Sequence, residues 1–510
     1  MTDNQDFQVV VGVLISSASS VYEVQDLLGC GTYGEVTQCR KLATNETVAV
    51  KILKSKRCIE EAKEEEVILK KMKELDSDKF NIIRWNNSFT YEGHFCLEFE
   101  KLDITLYEFM QMSHFQPLEL IEIRPIVQQL ATALEFLKSV GIVHADLKPE
   151  NIMMVDHLQQ PLRVKVIDFG LACDNPEART GVILQTQWYR SPEVLLGASF
   201  NEAIDVWSLG CIAAEMLMGT ALFPGMDEYD MMRHILYTIG KPPDHLLNAG
   251  LYTEQFFRAN YTGLEPPQWR FMSKLEARNF TCNPHAISSL SDLKKIFSAF
   301  LFVRILHKAS CKLSGEDASA DECDWASFIN LLTKTLKMDA SERITPSQIL
   351  QHPFITMSHL VGTFKNSSHV KLCVELMSVC QGLSSDDGED VARATLKTSL
   401  IEETSNSTAS PACHSVPDEG HPARLSGKEQ PFLQSSSISG ENSPAKKRKR
   451  DGVDDSECGN NPDTTPAKKR RDECLDSALT ETGEQGSPRK SLLHKRKRDD
   501  VDPCIPSEGR

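Results

Sequence analysis

A chain of 510 residues exceeds one ordinary domain and suits a two-lobed body with an extra segment, since domains commonly run to about 100–200 residues. Its 40% hydrophobic and 25% charged residues fit a globular body with a polar extension, and the formal net charge of -16 argues against nucleic-acid binding over the whole surface. The 15 cysteines form no C-x-x-C pairs at zinc-ligand spacing and no short secreted framework, so reduced thiols in cytosol or nucleus fit best.

The N-terminal run Val9-Val10-Val11-Gly12-Val13-Leu14-Ile15 lacks a basic leader and falls far short of the ~20 apolar residues of a membrane span. It reads as a strand, with no membrane segment. From Val21 to about Phe354, short β-rich runs give way to helical periodicity broken by Gly and Pro, which predicts an α+β body. Beyond about Gln381 the chain turns to Ser, Asp, Glu, Pro and Lys/Arg with few aromatics, too little apolar surface to offset chain entropy. The organisation expected is an N-terminal extension over 1–21, a body over 22–354, an extension of that body over 355–381, and a disordered tail over 382–510.

Gly29-Cys30-Gly31-Thr32-Tyr33-Gly34-Glu35-Val36 spells G-x-G-x-x-G-x-V, in which missing Cβ atoms let backbone amides approach phosphate oxygens. Alone the run is as readily a plain glycine-rich hairpin turn, with a dinucleotide-binding turn as a further rival. Strand-like Val48-Ala49-Val50-Lys51 follows where a dinucleotide fold would place a helix, so the loop joins antiparallel strands and Lys51 reaches toward ATP phosphates. A cation there needs a partner, and the charged helix beginning near Ile59 offers Glu64, Glu65 and Glu66. Glu65 shares a helical face with Ile68, Leu69 and Met72 and is expected to point inward, the other two outward.

His144-Ala145-Asp146-Leu147-Lys148-Pro149-Glu150-Asn151 supplies an acid to accept a hydroxyl proton (Asp146), a cation near the γ-phosphate (Lys148) and an amide oxygen for metal (Asn151). Val164-Lys165-Val166-Ile167 then leads into Asp168-Phe169-Gly170, whose carboxylate suits the Mg2+ that bridges phosphates. A lone Asp-Phe-Gly is usually a turn. Here loop, lysine, acidic helix, base and metal ligand arrive in the order that phosphoryl transfer requires.

With these residues in place, the chain from about Val21 to Gln381 resembles a protein kinase of the CMGC group, and within it the homeodomain-interacting protein kinases. Besides the motifs above, Arg163 to Gly170 and Glu202-Ala203-Ile204-Asp205-Val206-Trp207-Ser208-Leu209-Gly210-Cys211 carry the likeness, and Ala145 is typical of that family. The resemblance implies a two-lobed fold: an N-lobe sheet with one main helix over 22–99, a hinge at Glu100-Lys101-Leu102 with Phe99 behind it, and a helical C-lobe over 103–354. It implies that Leu28, Gly29, Gly31, Gly34, Val36, Ala49, Lys51, Glu65, Glu100 and Leu102 bind ATP. Tyr189-Arg190-Ser191-Pro192-Glu193 matches the group's segment closing the activation loop, with Arg343 placed to pair with Glu193. Thr186 implies Ser/Thr specificity, and Arg190 is similar to the arginine shaping the pocket for a proline after the acceptor. The implied partners are protein substrates such as transcription regulators.

Two departures stand out. Ile183 falls where this family carries an activation-loop tyrosine that the enzyme phosphorylates on itself, and Ala145 stands where many kinases have the arginine that pairs with activation-loop phosphate. Activity independent of such a phosphate is the expectation, with Thr180 the nearest substitute acceptor. The tail shows no homeodomain-binding region. A pseudokinase acting as a nuclear scaffold is the rival reading, weakened by the presence of Lys51, Glu65, Asp146, Lys148, Asn151 and Asp168 together.

The tail repeats a basic run at Lys446-Lys447-Arg448-Lys449-Arg450, Lys468-Lys469-Arg470-Arg471 and Lys495-Arg496-Lys497-Arg498. Each resembles a nuclear-import signal, so a nuclear protein read by an import receptor is expected. Acidic residues follow every run and partly neutralise it, so a solvated polyampholyte is the rival to import, and the lack of interleaved aromatics argues against direct nucleic-acid binding. A fluorescent fusion of residues 382–510 is expected to enter nuclei under the microscope, and changing all three runs to alanine to keep it out. Even distribution with the runs intact would defeat this expectation.

Overall fold

The computed structural model describes residues 10–31, 34–53, 59–74, 76–260, 268–274, 276 and 315–381. The tail with its basic runs lies outside them. The N-terminal part is one antiparallel sheet of six strands: β1 (Leu14–Ser16), β2 (Val21–Cys30), β3 (Gly34–Lys41), β4 (Glu46–Leu53), β5 (Trp85–Tyr91) and β6 (His94–Glu100). Its spatial order is β1-β2-β3-β4-β6-β5. The apolar run from Val9 to Ile15 reads as a strand throughout; the regular ladder holds Leu14 to Ser16 against Glu23 to Val21, and Val24 accepts the Gly12 amide at 2.8 Å and donates to the Val13 carbonyl at 3.0 Å. Gly12 turns the chain at φ 87°, and Val10 and Val11 stay exposed.

β4 shows how period-two alternation builds the site. Val48, Val50 and Ile52 face an outer cluster with Ile15, Tyr22, Val24, Cys39 and Cys96, while Ala49 and Leu53 face the main core. Lys51, between Ala49 and Leu53, shares their face. The outer cluster closes around Glu98, fully buried, which accepts the Tyr22 hydroxyl at 2.6 Å and pairs with Lys41 at 2.9 Å. Helix α1 (Ile59–Lys71) buries Ala62, Glu65, Ile68 and Leu69, a stripe at helical spacing. Glu60 and Glu61 in its first turn and Lys70 and Lys71 in its last complement the helix dipole.

The remaining described residues are mainly helical. Helices α2 (Leu120–Ser139) and α3 (Ala203–Met218) lie in one continuous core with β7 (Ile152–Asp156) and β8 (Gln160–Val166). α3 is apolar on nearly every side, as a helix enclosed by others must be. Glu193 and Arg343 meet as expected, Nη1–Oε1 2.7 Å and Nη2–Oε2 3.1 Å, both buried, with Arg343 also donating to the Ala203 carbonyl. Among the described residues no helix is long and apolar enough to cross a membrane.

After α4 (Glu316–Thr335), helix α5 (Ser368–Met377) returns the chain to α2 and α4. A buried ion network fastens it. Arg124 of α2 grips both carboxylate oxygens of Asp324, which also accept His359 Nε2 and His369 Nε2, each at 3.1 Å. Asp324, His369 and Cys373 bring ligand-type atoms within 4.8 Å of one another, but the guanidinium already occupying the carboxylate makes this a charge network, not a metal centre. Burial alone would lower the His369 pKa; the hydrogen bond to Asp324 outweighs it and raises the group to about 10. A histidine whose folded pKa lies above its unfolded value of 6.5 stabilises fully below 6.5 and loses that contribution as pH rises toward 10. Denaturant titrations at stepped pH should therefore show the wild type losing about 2–4 kcal/mol across that window, and His369→Leu losing much less.

Candidate active site

The glycine-rich run forms the β2–β3 hairpin, with Gly29 opposite Val36, Cys30 opposite Glu35, and the Gly31 amide donating to the Gly34 carbonyl at 2.8 Å. Thr32 and Tyr33 lie outside the described residues. The three glycines serve different ends. A Cβ on Gly29 would meet nothing within 4 Å, and one on Gly31 only the Gly34 carbonyl at 3.8 Å, which leaves their backbone open to a ligand. A Cβ on Gly34 would strike the Ile52 carbonyl at 2.5 Å, so that glycine permits the β3–β4 approach. Open backbone marks two of the glycines; strand packing explains the third.

Lys51 lies opposite Val36 on β3 and Leu97 on β6. Its ammonium donates to Glu65 Oε1 and Oε2 at 3.0 and 2.9 Å and to Asp168 Oδ1 at 2.9 Å. Glu65 is buried as its helical phase predicts, and Glu64 is exposed; Glu66 is only partly so, taking Ser88 and Lys70. Burial would depress the Lys51 pKa, yet the charges of Asp168 and Glu65 overcome it and raise it above the ordinary lysine range. The same lysine holds Asp168 at about 2. Asp168 sits at φ 61°, its side chain opening to the cleft, while Phe169 is buried with its ring 5.1 Å from that of His144.

Val36 and Ala49 pack on the core beneath the hairpin, Leu28 is exposed at the end of β2, and Leu102 is buried just beyond β6. Phe99 is buried opposite Ala49 and Trp85. The Glu100 side chain is engaged elsewhere: its carboxylate accepts Lys165 Nζ at 2.7 Å and the Arg84 amide at 2.6 Å. Lys165 is fully buried and also pairs with Asp78 at 2.8 Å. Within the β-rich run before Asp168 it passed as an ordinary strand residue; a charge at an inward position of a buried strand was the available signal.

The catalytic-loop residues converge on Asp146. Its Oδ1 accepts the Thr186 amide at 3.0 Å and hydroxyl at 2.7 Å, and its Oδ2 accepts Lys148 Nζ at 2.9 Å and Asn151 Nδ2 at 3.1 Å. Lys148 also donates to Thr186 Oγ1 at 3.0 Å. Asn151 gives a second bond to the Asp146 carbonyl, so its Oδ1 is the atom left for a metal. An amide oxygen and a carboxylate of depressed pKa are hard oxygen donors of the kind a divalent cation such as magnesium prefers, so Asn151 and Asp168 fit that group. Asp205 is the residue whose role the sequence did not disclose: its carboxylate accepts the His144 amide at 2.8 Å and the Ala145 amide at 2.9 Å, fixing Ala145 at φ 62° beside the base.

This geometry defines a protein kinase, and the sequence comparisons agree: the protein kinase domain family matches residues 22–355. The chain belongs to that family. It is similar to homeodomain-interacting protein kinase 1 of Mus musculus, 44% identical over 377 residues covering 74% of this chain and 31% of that protein. It is also similar to homeodomain-interacting protein kinase 1 of Caenorhabditis elegans, at 38% over 72% of this chain and 44% of the relative. Homeodomain-interacting protein kinase 4 of Homo sapiens matches at 36% over 70% and 59%. The matched region thus spans about a third of the mouse relative's length.

The electrostatics can be tested without turnover. Lys51→Met leaves Glu65 buried without its cation, which should cost about 3–5 kcal/mol in denaturant unfolding. Lys51→Met combined with Glu65→Leu should recover most of that loss, because apolar groups then replace both partners. A single variant as stable as wild type would contradict the buried pair.

Proposed function

We propose that the protein transfers the γ-phosphoryl group of Mg·ATP to serine or threonine of protein substrates in the nucleus. The observation that carries this reading is the Asp146 carboxylate, fixed by Thr186, Lys148 and Asn151 and served by the Lys51–Glu65–Asp168 cluster across the cleft. The substrate hydroxyl oxygen attacks the γ-phosphorus as its proton passes to Asp146, and the bond to the β-phosphate oxygen breaks with its electron pair leaving on ADP. Lys148 lies beside Asp146, where it offsets charge on the transferring group; Lys51 orients the phosphates that remain with ADP. Asn151 and Asp168 would hold Mg2+, which supplies charge neutralisation between the β- and γ-phosphates.

Thr186 beside the base supports Ser/Thr acceptors. Arg190, buried, donates to the Leu184 and Gln185 carbonyls at 2.9 and 3.0 Å, and so fixes the bend that receives the residue after the acceptor. This supports Ser-Pro and Thr-Pro sites. Substrates among transcription regulators are suggested by the names of the homeodomain-interacting relatives, and nuclear residence by the basic runs of the tail.

Purified full-length protein should label Ser-Pro peptides from radiolabelled ATP, faster than Ser-Ala ones. Asp146→Asn is expected to bind ATP within a few-fold of wild type while turnover falls by about two to four orders of magnitude. Undiminished labelling by that variant would reject Asp146 as the base. Tight nucleotide binding by an inert wild type would favour the scaffold reading.

A further inference from the structure

Kinase activation loops are commonly ordered when a new phosphate pairs with arginine, notably the arginine preceding the catalytic aspartate. Here that position is Ala145, and the ground around it is apolar. Val143, Ala145, Cys173, Leu184, Val194, Phe200 and Ile204 form a separate buried cluster, with Val182 packed against it. A guanidinium in this place would be a buried charge. The chain instead pins both ends of the segment to the catalytic loop by main-chain bonds. Val143 and Cys173 exchange amide–carbonyl bonds at 2.8 and 2.9 Å, and the Gln185 amide donates to the Ala145 carbonyl at 3.0 Å.

Between those ends, three contacts hold the loop. Asp174 pairs with Lys71 in the last turn of α1, and Arg179 pairs at 3.3 Å with Glu64, the immediate neighbour of Glu65. The Tyr252 hydroxyl donates to the Gly181 carbonyl at 2.6 Å. Thr180 points its hydroxyl at the Glu177 carbonyl and is exposed, joined to none of these anchors.

We propose that this activation segment is latched in its working geometry without any phosphate, by an apolar seat under Ala145 and by carboxylate–cation pairs to α1. Lys71 and Arg179 are then positioning residues that act through α1 and Glu65 on Lys51, and Tyr252 holds the segment itself at Gly181. The ion pairs are exposed, so each contributes little alone, and the apolar seat with its main-chain bonds supplies the baseline order. The fixed carboxylate of Asp174 stands in for the negative charge that phosphorylation adds elsewhere.

This inference deepens the phosphotransferase reading and rests on it for the kinetic arm alone; a second arm reads the segment directly. Full-length protein is dephosphorylated, checked by intact mass, and assayed both for peptide phosphorylation and for amide exchange over residues 172–186. Phosphatase treatment and Thr180→Ala should each leave the rate within about twofold. Lys71→Glu and Asp174→Lys should each lower kcat by about two- to fivefold, the scale of an exposed ion pair, and speed exchange in the segment. The double swap should restore both readouts, and Tyr252→Phe should speed exchange without altering nucleotide affinity. A rate that collapses on dephosphorylation, rapid exchange in the dephosphorylated wild type, or a double swap that restores neither readout would overturn the latch. A wild type with a protected segment and no transfer supports the latch while defeating the phosphotransferase reading.

Discussion

A lysine ammonium enclosed by two carboxylates is the constraint on which the cleft depends. Lys51 is removed from most water, and an ion in that state persists only where opposite charge and hydrogen bonds replace its hydration. The replacement comes from two elements with no chain continuity to β4: Glu65 on α1 and Asp168 at the mouth of the activation segment. One desolvated cation therefore aligns the sheet, the helix and the Asp168 carboxylate. The alignment reaches the reacting groups because Asn151, bonded to Asp146, accepts the amide of Ile167, the residue just before Asp168.

The cleft also stores strain where the chemistry is set. Ala145 and Asp168, both non-glycine, adopt φ values of 62° and 61°, and positions of this kind cost roughly 1–3 kcal/mol each unless their surroundings hold them. Asp205 holds the first by accepting its amide; Lys51 holds the second through its carboxylate. Strain and restraint are thus paired on either side of the base, with Asp205 anchored in the fully enclosed α3.

What the sequence disclosed was periodicity and order. The strand-like run after the glycine-rich loop placed Lys51 beside it, and the helical phase of Ile68, Leu69 and Met72 selected Glu65 from three adjacent glutamates; both arrangements appear in the fold. Local pattern failed where a long-range contact decided the outcome. The run from Val9 to Ile15 is apolar enough for a longer strand, but a glycine at positive φ interrupts the regular ladder and leaves only single main-chain bonds to Val24 there. Gly34 belongs to the phosphate-binding motif by spelling, yet the carbonyl of Ile52, brought close by strand pairing, is what excludes a side chain there. Lys165 and Asp205 acquire their roles from partners some sixty residues away, a distance that no motif window spans.

Arg163 on β8 donates to the Val379 carbonyl at 3.2 Å and to the Asp78 carbonyl at 2.6 Å. One guanidinium thereby joins the end of the C-terminal helix to the short helix Ser77–Phe80 that follows α1, and Cys380 adds a contact to the Pro125 carbonyl. The family pattern stops at residue 355, ahead of this joint and ahead of His359 and His369. A chain cut there would keep every catalytic group, yet it would bare the flank of α2 and leave the Arg124–Asp324 pair without two of its hydrogen-bond partners. The border of the protein kinase family pattern and the border drawn by cooperative folding are different lines in this protein, separated by the helix Ser358–Val361, which carries His359, and by α5, which carries His369.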